Sequence, residues 1–278
     1  MAHSRCRPNR CGGSVYVDQL ESTDMVSSLI GSTGFVGGNL KMQFDFEQLY
    51  NSANVSDMAG QRYSLIVCCG VSAAKWLANK EPVDDRRRIA GLERVLEQVN
   101  AERFVLISTV DVYPSIAGVD ETSDCHRSPN HAYGTNRLAF EDFVLSRFPK
   151  VHILRLSGLF GPGLKKNVIF DLMNDNALDA INPAGRLQWY DTTELWADIC
   201  RIIDRNIPLI NLVNEPLATS EIIGRYFPGK VVGTAAGPPV AYDIRCRHAS
   251  ELGGSNGYLR PASIVLEQLG RFLARTAA

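Results

Sequence analysis

Apolar runs without in–out alternation recur along the chain: MVSSLIG (25–31), YSLIVCCG (63–70), RFVLIST (103–109), VHILRLSG (151–158) and IPLINLVN (207–214). Each ends near Gly, Ser, Thr or Asn. Such runs predict strands buried on both faces, as in a parallel sheet. FDFEQLYNS (44–52) reads as a further strand. Between the runs the apolar spacing changes to the helical period. Over 86–99, Ile89, Leu92, Val95, Leu96 and Val99 share one stripe, and over 194–206 so do Leu195, Ile199, Ile202 and Ile203. Strands alternating with helices predict an open, doubly wound α/β fold. Segments 159–190 and 228–260 are richer in Gly, Pro and polar residues, and are read as insertions on the carboxyl edge of the sheet, where such folds bind ligands.

Composition changes this picture little. The 278 residues are 45% hydrophobic and 21% charged, with a formal net charge of −1. That balance supplies no electrostatic case for nucleic acid or an anionic membrane, and no apolar run approaches the ~20 residues that span a bilayer. Residues 1–24 are polar and turn-rich without an apolar signal core, and are read as a flexible extension ahead of a fold unit opening at Met25. His3, Cys6 and Cys11 fit no standard zinc spacing, so no metal is expected. Seven cysteines without regular spacing suit a reducing cytoplasm.

The chemistry begins at LIGSTGFVGGNL, which sets Gly31, Gly34 and Gly37 at G-x-x-G-x-x-G spacing between a strand and a helix. Glycines there permit a tight turn, close approach of backbone to a pyrophosphate, and close helix-to-sheet packing, with helix-start amides facing the anion. Dinucleotide binding through Gly31, Thr33, Gly34, Phe35, Val36 and Gly37 is the expectation. The second strand ends at Tyr50, Asn51 and Ser52 with no acid at its tip to grip a ribose 2′-hydroxyl. This tilts the expected cofactor, NADP or NAD, towards NADP.

Ser108 and Thr109 close the strand in ISTVDVYP (107–114), and Tyr133 opens the helix YGTNRLAFEDFVLSRF. With the glycine loop, with STVDVY similar to S-T/S-x-x-V-Y, YGTNR similar to Y-G-x-x-K, and LRLSGLFGPG (154–163) similar to L-R-x-x-x-x-y-G-P, residues 25 to 275 resemble an extended short-chain dehydrogenase/reductase of the nucleotide-sugar epimerase/dehydratase type. The resemblance implies a Rossmann-like sheet over 25–160 and a small C-terminal substrate-binding lobe over 161–278, with 191–214 returning to the sheet. It implies that Tyr133 exchanges a proton with a sugar oxygen, that Thr109 hydrogen-bonds the same oxygen, and that Cys69, Gly70 and Val71 pass under the adenosine and phosphates. Leu156, Ser157 and Gly158 would close over the nicotinamide. Physical chemistry points the same way: a carbonyl under reduction needs donors at its oxygen, and a phenol of pKa about 10 needs help to act near neutrality.

The departure is Arg137, where the family has lysine. Arginine keeps the charge and adds donors but will not release a proton, so it is expected to bind the nicotinamide ribose and to favour tyrosinate. Where dehydrating members carry T-D-E-V-Y, this chain reads Thr109, Val110, Asp111, Val112, Tyr113, so 4,6-dehydration is disfavoured. Reduction of a nucleotide-linked 4-keto sugar is favoured. A nucleotide-sugar 4-epimerase with recycled cofactor is the alternative, and a dinucleotide sensor or scaffold is one from another class. Substrate contacts are expected from Lys75, Asp111, Lys166, Asn167, Gln188 and Tyr190, while Trp76 is read as core packing. The helices at 86–99 and 133–147 match those that pair subunits in the family, which leaves room for a homodimer.

Overall fold

In a computed structural model, which describes residues 26–276, the apolar runs form one parallel six-stranded sheet. Its strands are β1 (Ser27–Ile30), β2 (Gln48–Tyr50), β3 (Arg62–Cys68), β4 (Asn100–Thr109), β5 (Val151–Leu156) and β6 (Leu209–Leu212), in the spatial order β6-β5-β4-β3-β1-β2. The extension read over 1–24, with His3, Cys6 and Cys11, lies outside the described residues. Among the described residues the α-helices are α1 (Phe35–Gln43), α2 (Lys75–Lys80), α3 (Pro82–Leu96), α4 (Ala132–Arg147), α5 (Val168–Asn174), α6 (Leu195–Asp204), α7 (Thr219–Tyr226) and α8 (Ala262–Thr276). None is long and apolar enough to cross a membrane.

Period-two alternation distributes each strand between two cores. Leu29, Leu65, Val67, Val105 and Leu154 face one side, packed with Leu40 of α1 and Ile199, Ile202 and Ile203 of α6. Ile66, Cys68, Phe104, Leu106 and Ile153 face the other, packed with Ile89 and Leu96 of α3 and Phe140 and Val144 of α4. Both sheet faces are therefore covered, which is why the strands read as continuous apolar runs. A third cluster joins Phe160 and Trp189 to Ile169 and Leu172 of α5, Ile222 of α7, and Val265 and Leu269 of α8.

Two boundaries differ from the pattern. The helix expected over 86–99 begins at Pro82, whose fixed φ suits a first helical position, and carries Asp84 and Asp85 in its first turn. It ends at Leu96, yet Val99 still packs into the core. In FDFEQLYNS only Gln48–Tyr50 pairs with β1. Phe44 and Phe46 are drawn instead onto Trp196 of α6, at ring-centroid distances of 4.1 and 5.4 Å.

Between β2 and β3 only one short 3-10 turn (Val55–Met58) intervenes, so the chain crosses at once to the other side of β1. This creates a topological switch point between β1 and β3, where open α/β sheets bind ligands beyond the strand ends. The insertions cover that edge through short pairings: Gly158–Phe160 with Trp189–Asp191, Arg186–Leu187 with Leu217–Ala218, and Ala117–Val119 with Asp243–Ile244.

Candidate active site

At the switch point Gly31 has a φ of +88°, and a Cβ there would stand 2.5 Å from the Cys69 carbonyl oxygen. The amides of Gly31 and Ser32 donate to the Tyr50 carbonyl at 2.8 and 3.0 Å. A Cβ on Gly37 would strike the Gly31 carbonyl oxygen, so glycine is what lets α1 lie against the turn. Gly34 precedes α1 in extended conformation without a side-chain cap, and no acid lies in the first turn. The amides of Phe35, Val36 and Gly37 therefore open onto the switch point with the helix dipole behind them, the geometry that receives a phosphate. Across from them Cys69 ties its amide and its thiol to the Ile30 carbonyl at 2.9 and 3.1 Å, ahead of Gly70 and Val71.

Gly37→Ala places a methyl group against backbone that has no room to yield. Overpacking of this kind costs about 1–3 kcal/mol. The variant is expected to melt several degrees below the parent and to lose most dinucleotide affinity, as read by thermal denaturation and fluorescence titration. Parent-like behaviour in both would remove the loop from the site.

Beyond β2, the Asn51 side chain accepts from the Ala53 amide at 2.8 Å, and Ser52 is exposed. Glu47 sits at the other end of the strand, where it accepts from the Ser27 amide at 3.0 Å.

The second half of the site stands on β4 and α4. Thr109 ends β4 and its hydroxyl accepts from the Asp111 amide at 3.1 Å, capping a 3-10 turn. That turn presses on the start of α4 at Gly134, where a Cβ would collide with the Asp111 carbonyl oxygen. His131 caps α4, its Nδ1 accepting from the Gly134 amide at 3.0 Å. The Tyr133 amide donates to Asn79 Oδ1 of α2 at 2.9 Å. Tyr133 is thus gripped from two sides and buried, next to the Thr109 hydroxyl. Its phenol is pushed above the ordinary tyrosine value: burial is the main cause, Arg137 and the Thr109 hydrogen bond pull it down, and Asp111 and Asp85 push it up.

Arg137 departs from its expected posture. Its Nη1 donates to the Asp85 carboxylate of α3 and its Nη2 to the Ser72 carbonyl, while the guanidinium lies 4.1 Å from the Tyr133 ring centroid. Its buried Nε is without a partner among the described residues. The charge expected to favour tyrosinate is paired.

A cavity of about 190 Å³ opens beside Thr109. Thr109, Val110 and Asp111 form one wall, Leu156, Ser157 and Gly158 another, and Leu187, Gln188, Trp189 and Tyr242 close it from the insertions. Asp111 is held by Lys75 at 2.7 Å. Lys166 reaches the Ala73 carbonyl at 2.8 Å.

Three expected substrate contacts are hydrogen-bonded within the protein. The Gln188 amide donates to the Asn214 and Ile244 carbonyls at 2.8 and 2.9 Å and accepts from the Ile244 amide at 2.9 Å. Tyr190 is buried, its hydroxyl donating to Asp198 at 2.7 Å. Asn167 caps α5 and donates to the Leu159 carbonyl at 2.8 Å. Buried polar groups must be hydrogen-bonded, and each of these finds its partners within the protein; Gln188 nevertheless lines the cavity, whereas Tyr190 and Asn167 do not. Trp76, read as core, is 67% exposed on α2.

Two residues near the chemistry were not singled out from sequence. Tyr242 lines the cavity, its phenol pushed up to about 12 by burial and then by Asp111. Asp85 is visible beforehand only as an acid in a first helical turn after proline.

Residues 43–191 match the model of the NAD dependent epimerase/dehydratase family. No curated protein matches the chain. Among solved structures, a dTDP-4-dehydrorhamnose reductase from Clostridium acetobutylicum aligns over 91% of this chain and 99% of its own, with a TM-score of 0.66 and 17% identity. A dTDP-4-dehydrorhamnose reductase from Bacillus anthracis, in complex with NADP, gives 0.68 and 19% over 90% and 98%. A UDP-glucose 4-epimerase from Thermotoga maritima, with UDP-glucose, gives 0.64 and 13% over 91% and 99%. At these identities the likeness is one of fold.

Proposed function

This chain belongs to the NAD-dependent epimerase/dehydratase family, and from that premise we propose that it reduces a nucleotide-linked 4-keto sugar, with NADP preferred over NAD. The observation that carries the reading is the Thr109–Tyr133 pair: Thr109 lines the cavity, and Tyr133 is buried behind it, hydrogen-bonded to Thr109, with its phenol pushed above the ordinary value. Asp111, the one carboxylate among the described residues lining that cavity, is paired with Lys75.

The glycine cradle, the uncapped start of α1 and the spare Nε of Arg137 fit a dinucleotide. Backbone of Gly31 to Gly37 would take its diphosphate, residues 69–71 its adenosine side, and Arg137 a ribose hydroxyl. When bound, a reduced nicotinamide supplies hydride to the carbonyl carbon. Tyr133 gives its proton to the carbonyl oxygen as negative charge builds there, and Thr109 donates a hydrogen bond to the same atom. Leu156, Ser157 and Gly158 limit water on the opposite wall. Val110, where a dehydrating relative has an acid, cannot protonate a leaving hydroxyl, and Asp111 beside it is held by Lys75, which supports reduction over dehydration. The lack of an acid after β2 supports NADP.

The test is oxidation of NADPH and NADH with a panel of nucleotide-linked 4-keto-6-deoxy sugars. Consumption is expected with at least one sugar, faster with NADPH. Inversion at C4 without net consumption would replace the reading by an epimerase, and tight dinucleotide binding with neither reaction by a sensor.

A further inference from the structure

The residue that departs from the family pattern has a partner on a neighbouring helix. Arg137 and Asp85 are 5% and 10% exposed at their side chains and form an ion pair between α4 and α3. Asp85 also accepts from the Asn136 amide group at 2.9 Å, and it lies in the first turn of α3, where the helix dipole favours an anion. The carboxylate is therefore well supported, and the guanidinium is held by two directional bonds, to Asp85 and to the Ser72 carbonyl, with its face on the Tyr133 ring.

Resting on the reductase reading, we propose that Asp85 is a positioning residue: through Arg137 it fixes the guanidinium on the Tyr133 ring and offsets part of its charge there, so that the phenol works as a proton donor and the site is matched to carbonyl reduction. Each charged group facing Tyr133 has an ion-pair partner. Arg137 on α4 is offset by Asp85 on α3, and Asp111 on the 3-10 turn by Lys75 on α2. His131, with ring centroids 6.2 Å apart, uses its Nδ1 as an acceptor, and Tyr242, which lines the cavity with Asp111, is a phenol raised by burial. A free cation over the ring would instead favour tyrosinate, the form needed to oxidise an alcohol. In the reduction the phenol O–H bond breaks as an O–H bond forms on the former carbonyl oxygen. The tyrosinate regains a proton from solvent, and the hydride comes from the reduced nicotinamide of the reaction already proposed.

The test uses the full chain and ultraviolet titration, with the signal of Tyr133 among nine tyrosines isolated by difference against Tyr133→Phe. In Asp85→Asn, Tyr133 is expected to ionise at least one pH unit or so below its value in the parent, since removing an anion that pairs a nearby cation acts on this scale. The alkaline limb of kcat/KM is expected to move down with it, which mere loosening would not produce. In Asp85→Asn/Arg137→Met both charges are gone, and Tyr133 should titrate at the parent value or above. An unchanged titration in Asp85→Asn overturns the proposal, as does a double variant that titrates below the parent. The double variant also serves if Asp85→Asn alone does not fold, because uncharged replacement of both partners is better tolerated than one unpaired buried ion. The titration needs no turnover, so its failure is separable from failure of the reductase reading, which the sugar panel reports.

Discussion

Tyr133→Phe is expected to lower kcat for keto-sugar reduction by about 10²–10⁴-fold while leaving dinucleotide affinity within about twofold. The substitution removes one hydroxyl and keeps the ring under the Arg137 guanidinium, so helix α4 and the cofactor side of the cleft are undisturbed. That loss is worth about 3–5 kcal/mol of transition-state stabilisation. The pH dependence follows from the direction of the phenol's shift. Reduction uses the protonated form, and burial raises the pKa above the ordinary value. In the parent, kcat/KM should therefore be flat through neutrality and fall only as pH passes the raised value on the alkaline side. Stopped assays over that range, beside Tyr133→Phe, check both points. A variant retaining more than a tenth of parental turnover would remove Tyr133 from the proton transfer.

The second large effect is on stability. Glu141 of α4 and Arg155 of β5 are both nearly fully buried. Arg155 donates from Nη2 to Oε2 at 2.6 Å and from Nε to both carboxylate oxygens at 3.1 and 3.2 Å. Ser108, next to Thr109, donates to Oε1 at 2.5 Å, and the guanidinium lies 4.8 Å from the Tyr113 ring centroid. Breaking one side of such a pair leaves a buried charge uncompensated, at about 3–5 kcal/mol. Glu141→Gln should therefore unfold at markedly lower urea, and Glu141→Met/Arg155→Met should recover most of the loss because no buried ion is then left unpaired, although the Ser108 hydroxyl loses its acceptor. Equilibrium denaturation measures this. A cost below about 1 kcal/mol for the single change, or a double variant less stable than it, would show that the pair is not what holds Ser108 and the end of β4 in place. The comparison also bears on function, since Thr109 reaches the cavity from the residue after Ser108.

Much of the framework is local and so could be read along the chain. Continuous apolar runs report burial on two faces wherever they occur: β1, β5 and β6 lie within the segments they mark, and β3 and β4 begin ahead of theirs, at Arg62 and Asn100. The glycine spacing is equally local, because a missing Cβ matters within one turn of backbone: Gly37 must avoid Gly31, six residues away. Thr109 and Tyr133 were legible through motif order and spacing, and the fold brings them side by side.

The partners of long polar side chains are decided elsewhere. Arg137 meets Asp85 across 52 positions, and Gln188 meets Ile244 across 56. A guanidinium, an amide or a phenol can satisfy itself in several ways, and spacing along one helix or strand says nothing about which foreign backbone arrives. For that reason Gln188, Tyr190 and Asn167 read as substrate contacts but are held within the protein, whereas Trp76 read as core and stands in solvent. Tyr242 and Asp85 carry no signal of their own until the insertion and helix α3 are packed beside the site. The α/β framework, the glycine turn and the tyrosine at the head of its helix are legible along the chain, because short-range sterics and burial periodicity specify each of them. Which charges surround that tyrosine is set by long-range packing, because a buried ion must be paired, and its partner comes from whichever element the fold sets against it.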